Sequence, residues 1–252
     1  MKPPDRQRKI LERLTAIQKE WKVEELSAAM QVSPITIRRD LEALGNQGAI
    51  IRTFGGGLID NRRRLAAYHE RVANNFELKQ AIGRAAAAEI RKGDTILLND
   101  GSTTFHLAGR LGGCGHITLY TNSVVMVGEI SSFPNVRLNV IGGEYHPDYF
   151  YLGGSLLARV LETISADTAF IGTDAVSPEG GCYCQDEDTA RVARMMMKQA
   201  RRSILLADHT KLTSKAAVKF ARLDDFALWI TSRGIKIGAL GKLRKMTKIM
   251  EV

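Results

Sequence analysis

Apolar residues change their spacing along this chain, and the change divides it. Near the start, Ile10, Leu14 and Ile17 recur at i, i+4, i+7 with Leu11 beside them, which predicts a helix over roughly Asp5 to Lys19. A shorter helix begins near Glu24, with Leu26, Ala29 and Met30 on one side. Val32-Ser33-Pro34 breaks the chain and restarts it. Ser33 is a good N-cap, and Pro34 suits the first helical position, where its missing N–H would have had no partner. Thr36 stands where a full capping box has Glu or Gln. The third helix carries Ile37, Leu41 and Leu44 at i, i+4, i+7. Past Gly48, Ile50 to Phe54 predicts a strand that turns at Gly55-Gly56-Gly57 and returns through Leu58-Ile59. Two short helices, a turn, a capped third helix and a hairpin make a winged helix-turn-helix pattern over residues 1–60.

From residue 76 onward, short apolar runs alternate with helical patterns. Leu78, Ile82, Ala86 and Ile90 mark a helix from Glu77 to Arg91, and Thr95 to Asn99 is a short apolar run between turn signals, the pattern of a buried parallel strand. The unit recurs at Ile117–Tyr120, Val136–Ile141, Asp167–Gly172, Ser203–Ala207 and Phe226–Thr231, with Lys248–Val252 as a last strand. This predicts an α/β fold, a doubly wound, mostly parallel sheet over residues 76–252. Residues 61–75 between the two regions are polar and basic, without clear periodicity. They predict a linker, in which Arg62-Arg63-Arg64 is either a solvated run or a phosphate contact.

Composition narrows the function. The chain has 252 residues, 44% apolar and 25% charged, values of a globular protein and not of a disordered one. The longest uncharged stretch, Leu111 to Gly128, includes Thr118, Thr121, Asn122, Ser123 and four glycines, too polar to span a membrane. No apolar leader follows Met1-Lys2-Pro3-Pro4-Asp5-Arg6. Three cysteines, Cys114, Cys182 and Cys184, are an odd number and fit a reducing cytoplasm. Cys182-Tyr183-Cys184 is spaced too closely for a usual zinc pair, so neither a metal nor a cofactor is expected. The net charge of +9 points to a polyanion, but the last twenty residues carry six basic and one acidic residue, so it does not single out the N-terminal region.

Candidate chemistry sits in two places. With Ile37, Leu41 and Leu44 inward, the start of the third helix presents Ser33, Pro34, Thr36, Arg38 and Arg39 outward, and Arg52 lies on the hairpin. Such a helix end in a major groove puts arginines at guanine edges and hydroxyls at phosphates, so duplex DNA is the predicted partner. A solvated polar face, with Arg38 and Glu42 paired four apart, is the plainer alternative. The second place is the edge to which a parallel sheet brings its strand ends. After successive strands come Asp100-Gly101-Ser102-Thr103-Thr104, Thr121-Asn122-Ser123, Gly142-Gly143 and Asp208-His209-Thr210-Lys211. Free amides, hydroxyls and the Lys211 ammonium there suit a phosphorylated small molecule; purely structural turns would use the same residue types.

These segments together resemble the DeoR family of bacterial transcriptional regulators. The resemblance is carried by Val32-Ser33-Pro34-Ile35-Thr36-Ile37-Arg38-Arg39-Asp40-Leu41, the wing glycines, the strand-end segments above, Asp167 to Gly172, and Glu187, and it runs from about Arg6 to the end. It implies a cytoplasmic, homodimeric or homotetrameric repressor of a sugar or polyol operon. It further implies that operator DNA binds the head, and that a phosphorylated sugar bound in a C-terminal domain resembling sugar-phosphate isomerases releases the DNA. In this chain Gln31 stands where the family has a turn glycine, Phe54 where it has a histidine, Asn99 where it has Asp, and His209 where it often has Ser. The alternatives are an isomerase using Asp100, Glu187 or Asp208 as base with Lys211 as helper, and a non-specific nucleic-acid binder built on the basic tail.

Overall fold

The computed structural model describes residues 2–17 and 19–252, with the backbone alone at residues 15, 16 and 61–63. The chain divides into two compact units, Met1–His69 and Glu70–Val252.

In the first unit, α1 (Pro3–Ala16), α2 (Val23–Met30) and α3 (Pro34–Asn46) pack on a small antiparallel sheet of β1 (Trp21–Lys22), β2 (Ile50–Arg52) and β3 (Gly56–Ile59), in the order β1-β3-β2. The predicted apolar stripes meet as its core. Ile10, Leu14, Leu26, Ile37, Leu41 and Leu44 are all at most 2% exposed, and each stabilises the unit by roughly 1.5–3 kcal/mol. Ile17 does not join them. The helix stops before it, Ile17 is extended and exposed, and the expected continuation through Gln18 lies outside the described residues. Ser33 caps α3 as expected, its Oγ accepting from the Thr36 N–H at 3.3 Å, and the Thr36 hydroxyl lies 2.9 Å from it. Two-residue β1 is too short to show a period. It pairs with Gly56 and Gly57, where a Cβ on Gly56 would come within 1.9 Å of the Trp21 carbonyl.

Gln31 closes α2 in the left-handed region, at φ 53° and ψ 45°. That conformation costs a side-chain residue about 1 kcal/mol relative to glycine. Gln31→Gly is therefore expected to raise the stability of the first unit by about 0.5–1 kcal/mol, read as a higher denaturation midpoint. An unchanged or lower midpoint would show that the Gln31 side chain contributes as much as its backbone costs.

Residues 61–75 are not an irregular linker. Asn61–Ala73 is a helix, α4, which runs through the division at His69. Arg, Leu and Ala favour the helix intrinsically, and Leu65, Tyr68 and Val72 recur at i, i+3, i+7 with Tyr68 buried, a short apolar stripe set among charged residues. The side chains of Arg62 and Arg63 lie outside the described residues.

The second unit is built on seven strands, all parallel, in the order β15-β14-β12-β9-β4-β5-β6 among the described residues. They are β4 (Thr95–Leu98), β5 (Ile117–Thr121), β6 (Val136–Val140), β9 (Ala166–Gly172), β12 (Ala200–Leu206), β14 (Leu228–Thr231) and β15 (Ile249–Glu251). Each predicted strand is present within a few residues. Successive residues of one strand feed two cores: Ile96 and Leu98 join one and Leu97 the other, and Phe170 opposes Ala169 and Ile171. Helices α5 (Phe76–Ala87), α6 (Ser102–Ala108), α7 (Val125–Ile130), α8 (Gly154–Glu162), α9 (Glu187–Gln199) and α10 (Ile237–Leu243) connect them. Two small antiparallel sheets were not anticipated: the β7 (Glu144–His146) and β8 (Tyr151–Gly153) hairpin, and β10 (Ala175–Val176), β11 (Gly181–Cys184) and β13 (Val218–Arg222). The chain lays down β4, β5 and β6 in one direction and then returns to place β9 on the other side of β4, so the winding reverses between β4 and β9.

Candidate functional site

The DNA-facing candidates fall on one exposed end of α3. Ser33, Pro34, Arg38 and Arg39 are exposed and Thr36 is half-buried, while Ile37, Leu41 and Leu44 point inward. Arg52 is exposed too, with its Cγ and Cδ lying where a Cβ on Gly45 would be only 3.1 Å away, so the hairpin arginine rests on α3. Behind this surface lies a pair the sequence reading missed. Arg6 Nε donates to Asp40 Oδ2 at 2.5 Å and Arg6 Nη2 to Oδ1 at 3.2 Å, where Gln7 Nε2 also donates. Both partners are buried, and the hydrogen bonds to Asp40 raise the Arg6 guanidinium further above its ordinary value against the cost of burial. This pair fixes α1 to the middle of α3 and so sets how its outer face is presented.

In the second unit, a narrow cleft of about 50 Å³ opens where the winding reverses, the position at which such sheets bind ligands. It is lined by Asn99, Asp100, Gly101, Ser102 and Thr103 after β4, by Gly172, Thr173 and Asp174 after β9, and by Cys184, Thr189 and Lys211. Asn99 is a cross-brace and not a ligand arm, since its Oδ1 accepts from the Gly172 N–H at 2.9 Å and ties the two loops together. Asp100 is positioned by Asn122: its N–H donates to Asn122 Oδ1 at 3.2 Å, and Asn122 Nδ2 donates to its Oδ1 at 2.9 Å. Burial pushes the Asp100 carboxyl up to about 7, against the Asn122 hydrogen bond, and Asp174 and Asp186 push it further. Burial also holds Asp174 above the usual carboxylate range, opposed chiefly by Lys211. The cleft thus sets one ammonium and several hydroxyls beside two carboxylates that give up protons reluctantly.

Of the sequence candidates, Asp100, Gly101, Ser102, Thr103 and Lys211 line this cleft and the others do not. Thr104 is fully buried and shares its hydroxyl between the Asn99 and Gly101 carbonyls, both at 2.9 Å, which shapes the loop. Thr121, Asn122 and Ser123 are fully buried behind it, with Thr121 Oγ1 accepting from the Ser123 N–H. Gly143 permits a close crossing, since a Cβ there would lie 2.1 Å from the Gly153 carbonyl, and Gly142 is exposed. Glu187 lies on the outer side of α9, paired with Arg194. Asp208 is fully buried and accepts from the Thr210 N–H at 3.0 Å. His209 pairs with Ser232 at 2.8 Å. Thr173 and Asp174, which the sequence reading passed over, follow a predicted strand and were open to the same strand-end argument. Cys184 and Thr189 come from β11 and the first turn of α9 and carried no such signal. Burial pushes the Cys184 and Cys182 thiols up to about 12 and also raises Cys114. Among the described residues, no group of His, Cys, Asp or Glu is placed to hold a metal ion, and no helix is long and apolar enough to cross a membrane.

Comparison with known proteins settles the family. Residues 6–63 match the DeoR-like helix-turn-helix domain, and residues 74–233 match the DeoR C terminal sensor domain. The chain belongs to the DeoR family. It is 35% identical over 211 residues to the HTH-type transcriptional repressor GlcR of Bacillus subtilis, covering 83% of this chain and 81% of that one. It is 32% identical over 232 residues to the HTH-type transcriptional regulator GlpR of Haloferax volcanii, covering 92% and 90%. Among solved structures, ribose 5-phosphate isomerase A from Neisseria gonorrhoeae is similar over 55% of this chain and 54% of that one, at 14% identity and a TM-score of 0.41. The DeoR-family relatives are named as regulators and repressors and not as enzymes, so the isomerase alternative falls away. This DeoR-family chain is a DNA-binding transcriptional regulator with a sensor domain.

Proposed function

We propose that this regulator represses a sugar or polyol catabolic operon and leaves its operator when a phosphorylated sugar enters the cleft between β4 and β9. The observation that carries this reading is the meeting of Lys211, Ser102, Thr103, Asp100 and Asp174 at the reversal of the sheet. Lys211, the hydroxyls and the loop amides take the phosphate; the Asp100 and Asp174 carboxylates accept hydrogen bonds from sugar hydroxyls. The narrow cleft requires its side chains to turn outward as the sugar enters. Thr104, Thr121, Asn122, Ser123, Gly142, Gly143 and Asp208 hold the loops in place, and Glu187 stands outside. Residues 1–60 are the DNA-binding head and residues 76–252 the effector domain. Ser33, Pro34, Thr36, Arg38 and Arg39 enter the major groove, with Arg52 on the flanking backbone. Two or four copies act in the cytoplasm on a symmetric operator.

The test compares variants on operator DNA. Arg38→Ala and Arg39→Ala are each expected to weaken operator binding by about 1–3 kcal/mol while leaving sugar-phosphate binding intact. An unchanged footprint in both variants removes α3 as the recognition helix. Lys211→Ala is expected to keep operator affinity and to need at least about tenfold more sugar phosphate for release, as for the loss of a charged hydrogen bond. Release at the wild-type concentration removes Lys211 from the phosphate site. Equal affinity for any duplex at fixed salt overturns operator recognition altogether.

A further inference from the structure

The last turn of α4 belongs to the second unit, and two side chains of that unit take the carbonyls it leaves open. Lys79 Nζ donates to the Arg71 carbonyl at 2.5 Å, and His106 Nε2 lies 3.1 Å from that of Val72. Lys79 is only 4% exposed. Burial pulls its ammonium down to about 8, helped by the like charges of Lys211 and Arg71 and resisted by Asp208. The like charge of the cleft lysine is thus one of the influences on the ammonium that caps α4. The loop that carries Lys211 is itself tied to the turn that joins α4 to α5. Asn75, at a left-handed φ of 56°, donates from Nδ2 to Thr210 Oγ1 at 3.3 Å, and Thr210 is held by Asp208.

Arg71 reaches the other way. Its Nη2 donates to the Asp148 carbonyl at 3.3 Å, and its guanidinium lies 4.8 Å over the Tyr149 ring, both in the connection between β7 and β8. That hairpin is fastened to the cleft by Asn122. The Leu152 N–H donates to the Asn122 carbonyl at 2.8 Å, and Asn122 Nδ2 donates both to the Leu152 carbonyl at 3.3 Å and to Asp100 at 2.9 Å. The end of α4 and the turn that follows it are thus gripped from two sides, one leading to the loop of Lys211 and the other, through Asn122, to Asp100.

We propose that Arg71, Asn75 and Lys79 form a latch through which occupancy of the cleft resets the last turn of α4, the helix that runs out of the DNA-binding unit. The latch rests on the effector reading above and supplies its transmission. An anion beside Lys211 cancels the repulsion felt by Lys79 and tightens its hold on the Arg71 carbonyl. A sugar hydroxyl on Asp100 competes with Asn122 and loosens the hairpin that holds the Arg71 side chain. Both changes act on the same residues, so the phosphate and the sugar are read together.

Three equilibria on the full chain test this: operator affinity, affinity for each member of a panel of pentose and hexose monophosphates with inorganic phosphate alongside, and the concentration of the binding sugar phosphate at half-release. Asn75→Gly keeps the left-handed backbone and removes the amide; Lys79→Met keeps the volume and removes the ammonium. Both are expected to hold the first two affinities within about threefold and to raise the half-release concentration at least about tenfold, a coupling change of ordinary allosteric size. Amide exchange over residues 70–76 is expected to change on saturation with the binding sugar phosphate in the wild type and to stay fixed in Arg71→Gln. Half-release concentrations that move only as the sugar-phosphate affinities move overturn the latch and leave the cleft reading standing. If no panel member binds the wild type, the cleft reading fails and the latch falls with it. Should Lys79→Met lose its fold, Asn75→Gly decides.

Discussion

Asp40→Ala is expected to remove about 3–5 kcal/mol from the DNA-binding unit, most of the stability that a small unit has. The substitution takes a carboxylate from a buried guanidinium, since Arg6 is 8% exposed and Asp40 accepts two of its hydrogen bonds. Gln7 also loses its acceptor on α3. Much of the cost is the desolvation of a buried charge whose carboxylate is gone, so removing both partners together behaves differently. Arg6→Met combined with Asp40→Leu is expected to recover most of the loss. Hydrogen exchange across residues 3–60 measures this directly, and operator affinity follows because α1 no longer steadies α3. Wild-type protection in Asp40→Ala would mean that the pair is solvated in solution and places nothing.

Asp100→Asn is expected to do the opposite, stabilising the sensor unit while abolishing its response to sugar phosphate. The Asp100 carboxyl stands at about 7, above its ordinary 3.8. The folded chain therefore binds that proton more tightly than the unfolded chain, and the ionised carboxylate costs stability. The cost is fully present above about pH 7 and disappears as pH falls towards 4. A wholly enclosed carboxyl displaced this far would cost about 4 kcal/mol. The half-buried cleft floor admits solvent, which lowers the expected gain at pH 8 to about 2 kcal/mol. Asparagine keeps an oxygen for the Asn122 amide, so the loop holds its shape. The check is the difference in melting temperature between variant and wild type from pH 8 to pH 4. A difference that does not shrink on acidification would show that Asp100 is not a strained acid. Binding residues that cost stability in this way are a common trade between function and folding.

The sheet was legible in the sequence because β4, β9, β12 and β14 each hold three consecutive apolar residues buried on both faces, Ile96–Leu98, Ala169–Ile171, Ile204–Leu206 and Leu228–Ile230. The strand-end argument went further than the fold, placing Asp100, Ser102, Thr103 and Lys211 at one edge before any coordinates. It stopped short in two ways. Thr121, Asn122 and Asp208 have the same residue chemistry as the cleft residues, but they point inward and support it, and one-dimensional spacing does not separate a ligand arm from the brace behind it. Asp174 was missed because attention fell on hydroxyls and glycines, not on the residue after the Gly172-Thr173 turn. The Arg6–Asp40 pair joins residues 34 positions apart, beyond the reach of any local pattern. α4 was passed over for a different reason: its stripe is only Leu65, Tyr68 and Val72, set among Arg64, His69, Glu70 and Arg71, and so short a stripe is easily hidden by a charged run.

The two buried cysteines, Cys182 and Cys184, carry a consequence for reactivity. Oxidants and electrophiles attack the thiolate, and at about 12 a thiol at neutral pH is ionised in only about one molecule in 100,000. Although Cys184 borders the cleft, its sulfur is a poor nucleophile at neutral pH. Peroxide and alkylating agents are therefore expected to leave Cys182 and Cys184 unmodified.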